Sequence, residues 1–225
     1  MTGADAAKAA VNGLVWGIVG AVLASPWAFA ARADAPALWW ASRAFGFVSY
    51  VALWLAMLTG VLLSTQRLPK RIDRKVLFEL HQQWTLAAVI ATALHVLSVV
   101  THPEAGVGIL GATVPYASEQ LTGAVALGVL AMWGLALLAV SSWLRSRIAP
   151  STWRVIHASA FGAFLVALAH SVAAGTDSGQ PVVQWLYALT GSALVLAIAV
   201  RVVSAVVARS GHRARPASQH QRMPS

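Results

Sequence analysis

The sequence predicts an all-α fold, an integral membrane bundle of six transmembrane helices. Three observations predict it. Hydrophobic residues fill 58% of the 225 positions and charged residues only 10%, with a mean hydropathy of +0.69, more apolar surface than one soluble core of this size can bury. The apolar residues gather in runs of about 20, the length that crosses a hydrocarbon layer of roughly 30 Å at 1.5 Å rise per residue. The runs do not alternate and are too long for barrel strands.

Residues 1–10 form a cytoplasmic N-terminus in this reading. The first span, Val11 to Ala31, contains Pro26 near its outer end, where neighbouring helices can satisfy the freed carbonyl. It lacks a basic leading region and outruns a signal peptide, so it reads as a retained helix. The remaining spans are Ala44 to Leu63, Leu80 to Val100, Leu121 to Val140, Val155 to Ala173 and Val183 to Val207. The bundle thus occupies residues 11–207, and 208–225 form a basic tail whose Ser, Pro, Gln and His content predicts disorder.

The formal charge of +9 is distributed as a topology signal rather than a nucleic-acid footprint, and nucleic acid is excluded as a partner. Arg67, Lys70, Arg71, Arg74 and Lys75, against Asp73, lie between spans two and three. Arg145, Arg147 and Arg154 lie between spans four and five. The opposite loops carry Arg32, Asp34, Glu104, Glu119 and Asp177. Under the positive-inside rule the protein is a multi-pass component of the inner (plasma) membrane with both termini cytoplasmic, and Arg209, Arg213, Arg215 and Arg222 of the tail agree. The chain's expected general partner is membrane lipid. The long external loop, Thr101 to Gln120, contains Pro103, Gly106, Gly108, Gly111 and Pro115 and is placed to cap the outer end. With no cysteine, disulfides, thiolate ligands and iron–sulfur clusters are excluded.

Four histidines break the apolar pattern in two spans, and intramembrane ionisable side chains are costly enough to need a cause. In span three His81 and His95 are 14 residues apart, about 21 Å along the axis and about 40° short of whole turns. In span five His157 and His170 are 13 apart, about 19.5 Å. The depths match. Spans three and five both run outward, so first pairs with first and second with second: His81 with His157 near the cytoplasmic face, His95 with His170 near the outer face. Each pair can ligate one haem iron through neutral imidazole nitrogens, giving two haem b groups. Histidines that merely hydrogen-bond between helices predict no such matching, and a tetrahedral zinc site would need its ligands together. The 13-residue spacing resists ideal geometry, because it turns His157 and His170 about 140° apart on a regular helix. Gly162, between them, is a place where span five can deform.

Further strings accompany the histidines: SRAFG at Ser42 to Gly46, WRVIHASAFGAFLVALAH from Trp153 to His170, and AGTD at Ala174 to Asp177. With the two His runs and the six-span plan, over about Trp40 to Val207, they resemble the ferric reductase-like transmembrane family. That family includes the membrane cytochrome b part of ferric reductases and NADPH oxidases and the haem subunit of the periplasmic methionine sulfoxide reductase system. The resemblance implies an oxidoreductase in which the four histidines hold two haem b groups and single electrons cross to an outer acceptor. Unlike the larger members, the chain shows no flavin or nicotinamide domain and no Gly-rich dinucleotide loop. The donor is then a separate flavoprotein, a flavin at the cytoplasmic side, or membrane quinol, and a partner is needed for full activity. Alternatives are a quinol-fed membrane subunit of a periplasmic reductase and, from another class, a haem-free structural or transport bundle.

Around the histidines, Arg43 opens span two at the outer surface, where its guanidinium can bind a haem propionate, as the family resemblance also implies. Arg201, one turn inside span six, is the corresponding candidate for the inner haem. Interfacial snorkelling is the competing role for both. His102 follows His95 by seven residues and stays near its face, though Pro103 favours an ordinary loop position. Glu104, Glu119 and Asp177 read as solvated loop acids. Trp143, Trp153 and Trp185 fit an interfacial aromatic belt.

Overall fold

The computed structural model describes residues 37–64 and 73–213, with side chains through Val200 and at Val202 and Val203, and scattered positions before residue 21. The described residues fold entirely as helices, turns and bends. Five helical segments are long and apolar enough to cross a membrane: Ala37–Ser64, Arg74–Val100, Thr122–Trp143, Pro150–Ala174 and Pro181–Val200. The first expected span, most of the first basic loop and residues 214–225 lie outside the described residues.

Helix α1 is Ala37–Ser64 and α2 is Arg74–Val100. Each begins six or seven residues before the sequence expectation. Trp39, Trp40 and Ala41 extend α1 outward, so Arg43 sits inside it rather than at its start. Asp73 caps α2, its side chain accepting from the Lys75 N–H, and this places Arg74 and Lys75 in the first turn of a helix rather than in the loop. After a 3₁₀ turn at Pro103–Ala105, the short α3, Gly108–Thr113, crosses the loop before α4, Thr122–Trp143. Trp133 of α4 donates its indole N–H to the Thr113 carbonyl at 2.8 Å, fastening α3 to the bundle.

The fifth expected span is two helices, α5 at Pro150–Ala158 and α6 at Ala160–Ala174, and α7 follows at Pro181–Arg213. Pro150 starts α5 at the position where its missing N–H costs nothing. The break falls at Ser159, whose N–H reaches Ile156 O at 3.0 Å and Val155 O at 3.3 Å. The shorter i→i−3 bond is a 3₁₀ step, and Ser159 Oγ reinforces it by donating to Ile156 O at 2.7 Å. Gly162 is not the hinge; a Cβ placed there would meet nothing within 4 Å. Helix α7 runs past the expected end at Val207 to Arg213.

Helix α1 packs along α2, α4 along α6, and α1 also meets α6 and α7. The α1–α2 seam is made of small residues, with Ala52, Ala87 and Ala88 buried in one cluster, so the two backbones approach closely. Ser49 and Thr92 hydrogen-bond across it at 2.6 Å. Tyr50, Phe164, Tyr187 and Leu194 form a second core. Phe164 is fully enclosed, the Tyr50 ring lies 5.4 Å from both Phe164 and Tyr187, and Tyr50 OH bonds Thr190 Oγ1 at 2.5 Å. Leu86, Leu97, Leu130, Leu137, Leu189 and Leu196 point outward. Such outward apolar faces suit a protein embedded in lipid, where the surrounding solvent is itself hydrocarbon.

Candidate functional site

The four intramembrane histidines come together as two pairs. His81 on α2 faces His157 on α5 with ring centroids 6.0 Å apart and planes at 73°. His95 on α2 faces His170 on α6 at 6.3 Å, also at 73°. The first-with-first, second-with-second register expected from depth is the register found. The break at Ser159 removes the 140° objection, because the helical phase at His157 is not carried through to His170.

Three of the four imidazoles are held in one way. His81 Nδ1 donates to Ala56 O at 2.9 Å, His95 Nδ1 to Ser42 O at 2.8 Å, and His170 Nδ1 to Ala124 O at 2.7 Å. A carbonyl can only accept, so each ring carries its proton on Nδ1 and leaves the Nε2 lone pair free for a ligand. In a helix the carbonyl of residue i already takes the N–H of residue i+4, so an imidazole sharing it must lie against residue i+4. That residue is glycine each time. A Cβ at Gly60 would lie 3.2 Å from the His81 ring, one at Gly46 3.3 Å from His95, and one at Gly128 2.6 Å from His170 Cε1. The unit is thus a carbonyl plus a glycine four residues on: Ala56/Gly60, Ser42/Gly46 and Ala124/Gly128.

These glycines were not singled out from the sequence, although a signal is present. Gly46 and Gly60 are 14 apart, the same interval as His81 and His95, as expected for two antiparallel helices meeting at two levels. On α4 the interval fails, since 14 residues beyond Gly128 stands Ser142. Correspondingly, His157 Nδ1 is buried without a hydrogen-bond partner. Its ring instead stacks on Trp153, at 4.7 Å and 18°, and the Arg145 guanidinium lies 4.5 Å from the Trp153 ring centre. Trp153 is therefore part of the site and not simply a member of an interfacial belt.

The outlying candidates divide. Arg43 pairs with Asp177 through two guanidinium nitrogens, Nε donating to Oδ2 at 2.8 Å and the second nitrogen to Oδ1, while its guanidinium carbon lies 4.6 Å from the Trp40 ring centre. Asp177 is thus a fixed ion-pair partner tying the turn after α6 to α1, not a solvated loop acid. His102 is buried, 6.0 Å from the Trp39 ring, with Nε2 3.8 Å from the exposed Glu104 carboxylate. Glu119 is exposed. Arg201 lies in α7, and its side chain is outside the described residues.

The donor set fits two axial imidazoles better than a metal cage. Two imidazoles bound end-on to one metal, each at a bond length of ~2 Å, would have ring centres about 6 Å apart, close to the 6.0 and 6.3 Å of the pairs. Among the described residues no three of His, Cys, Asp or Glu cluster as a tetrahedral metal site would require.

Comparison with curated proteins and with solved structures gives no match. A family model does match, over residues 37–177, a stretch that runs from the first residue of α1 through both histidine pairs to the aspartate that holds Arg43. Spanning more than half of the sequence, that match makes the chain a member of the family described as Domain of unknown function (DUF8596).

Proposed function

We propose that the protein is a di-haem b membrane cytochrome, an oxidoreductase subunit that passes electrons from a cytoplasmic or membrane donor to an acceptor at the outer face. The observation that carries this reading is the pairing itself. Two His–His pairs recur at one 14-residue interval along α2 with ring separations of 6.0 and 6.3 Å, and in three rings a backbone carbonyl holds the proton on Nδ1. Fixing the far nitrogen in this way orients a ligand and raises its basicity. Haem b, when bound, supplies a one-electron iron couple. His81 and His157 would hold the inner group and His95 and His170 the outer, about 21 Å apart along α2.

The resemblance to ferric reductase-like membrane domains supports the same direction of transfer. Arg145, Arg147 and Arg154 at the His81/His157 end favour a cytoplasmic position for that end. Arg43, with guanidinium N–H groups beyond those given to Asp177, is the candidate cation for an outer propionate, and Arg201 for an inner one. The donor would be a flavoprotein, a bound flavin or quinol, and the acceptor a periplasmic redox partner or an outer substrate.

A reduced-minus-oxidised spectrum and a pyridine haemochrome assay of the purified protein test the reading. The expected result is b-type signal at two haems per chain, falling to one when His95 and His170 are both replaced by alanine. Protein that is folded and lacks b-type haem would refute it and favour a structural or transport bundle.

A further inference from the structure

The two histidine pairs are not equivalent, and the difference lies in one side chain. His95, His170 and His81 are each tied to a helix carbonyl beside a glycine; His157 is not. Where the repeat would put a fourth glycine, α4 has Ser142. The helix bearing His157 is the nine-residue α5, which contributes no buried residue to the core and ends at the Ser159 break two positions later. What holds the ring is the face of Trp153, a contact that resists sliding and rotation far less than a hydrogen bond to backbone does. A cavity of about 180 Å³, lined by Arg145, Pro150, Trp153 and Arg154, adjoins that indole and gives the stack room to shift.

We infer that His157 is the exchangeable ligand of the inner pair, and that the inner site takes a small neutral ligand such as carbon monoxide in its place while the outer site stays closed. The inference rests on the di-haem reading. In the exchange the iron–Nε2 bond to His157 breaks, an iron–carbon bond forms, and His81 remains bound; no electron or proton is transferred. Loss of a partner that orients a metal-binding histidine typically weakens the ligand 10- to 100-fold, so the inner site should bind carbon monoxide at least tenfold more tightly than the outer.

The test is a carbon monoxide titration of the dithionite-reduced full-length protein in membranes, followed in the Soret band. About half of the haem signal should shift, and the shift should persist in the His95→Ala/His170→Ala protein, which keeps only the inner pair. The His81→Ala/His157→Ala protein, which keeps only the outer pair, should be inert. If the double variants do not accumulate, the wild-type titration decides alone, because a shift of none or all of the signal overturns the inference. A reactive outer-only protein overturns it as well. Two loaded haems that ignore carbon monoxide refute the exchangeable His157 but leave the cytochrome intact, whereas absence of haem removes both.

Discussion

Gly128→Ala is the sharpest probe of how the histidines are held. The added methyl would lie 2.6 Å from His170 Cε1, 2.8 Å from Nδ1 and 3.1 Å from Nε2, so the ring must move away from α4. Moving it stretches the 2.7 Å bond to Ala124 O, and losing a buried hydrogen bond of this kind costs roughly 1–3 kcal/mol. Overpacking adds about 1–3 kcal/mol. Against these stands a helix-propensity gain of about 1 kcal/mol for alanine over glycine. The net is a penalty of about 1–5 kcal/mol, concentrated on His170, or about tenfold weaker retention of the outer haem for each 1.4 kcal/mol felt there. Gly60→Ala and Gly46→Ala, with clearances of 3.2 and 3.3 Å, require only a few tenths of an ångström and should be milder. Gly162→Ala meets open space and should leave loading unchanged. The assay is haem per chain by pyridine haemochrome, alongside thermal unfolding in detergent. Full haem loading in Gly128→Ala together with loss in Gly162→Ala would refute the carbonyl-and-glycine account of ligand positioning.

Asp177→Asn keeps the shape of the Arg43 partner but removes its charge. With both side chains about three-quarters buried, it should destabilise by about 1–3 kcal/mol, less than a fully buried pair, and an unchanged melting temperature would show the pair to be inert. Tyr50→Phe deletes the bond to Thr190 Oγ1; because Thr190 also donates to Leu186 O at 2.7 Å, the expected loss is only about 0.5–1.5 kcal/mol, and a larger fall in thermal stability would contradict that accounting. The chain has no cysteine, so Ser146→Cys and Glu119→Cys, both at exposed positions, report topology directly. A membrane-impermeant maleimide should label Cys at 119 from outside intact cells and Cys at 146 only after permeabilisation; the reverse pattern would invert the proposed direction of electron flow.

The helices were legible because lipid imposes length and continuity on apolar runs, and the histidine register was legible because a rise of 1.5 Å per residue turns sequence intervals into depths. Helix ends were less so. Trp39 and Trp40 extend α1 as readily as they would anchor an interface, and Asp73 capped a helix whose first turn is basic enough to resemble a loop. The break in the fifth span was beyond composition, since Ala158, Ser159 and Ala160 are ordinary helical residues and only the hydrogen bonds of Ser159 reveal the 3₁₀ step. Asp177 was misread because its partner lies 134 positions away, a distance that no local pattern bridges.

The glycines show where sequence intervals inform and where they stop. A 14-residue interval in α1 that repeats the interval in α2 is visible in one dimension, but its meaning depends on which helix lies opposite which. Once α1 is known to face α2, Gly46 and Gly60 become the clearance for His95 and His81, and the same rule locates Gly128 on α4 opposite α6. The rule also says where a fourth glycine belongs, and Ser142 stands there. Replacing it separates two explanations for the loose His157. If the missing clearance alone is responsible, Ser142→Gly should let Nδ1 share the Leu138 carbonyl, four residues earlier, and suppress carbon monoxide binding at the inner site at least tenfold. If the Ser159 break holds His157 out of reach of α4, Ser142→Gly should change nothing. Leu138 O already accepts Ser141 Oγ at 3.1 Å, a competitor that Ser141→Ala removes, so the double substitution should outdo the single one under the first explanation and match wild type under the second.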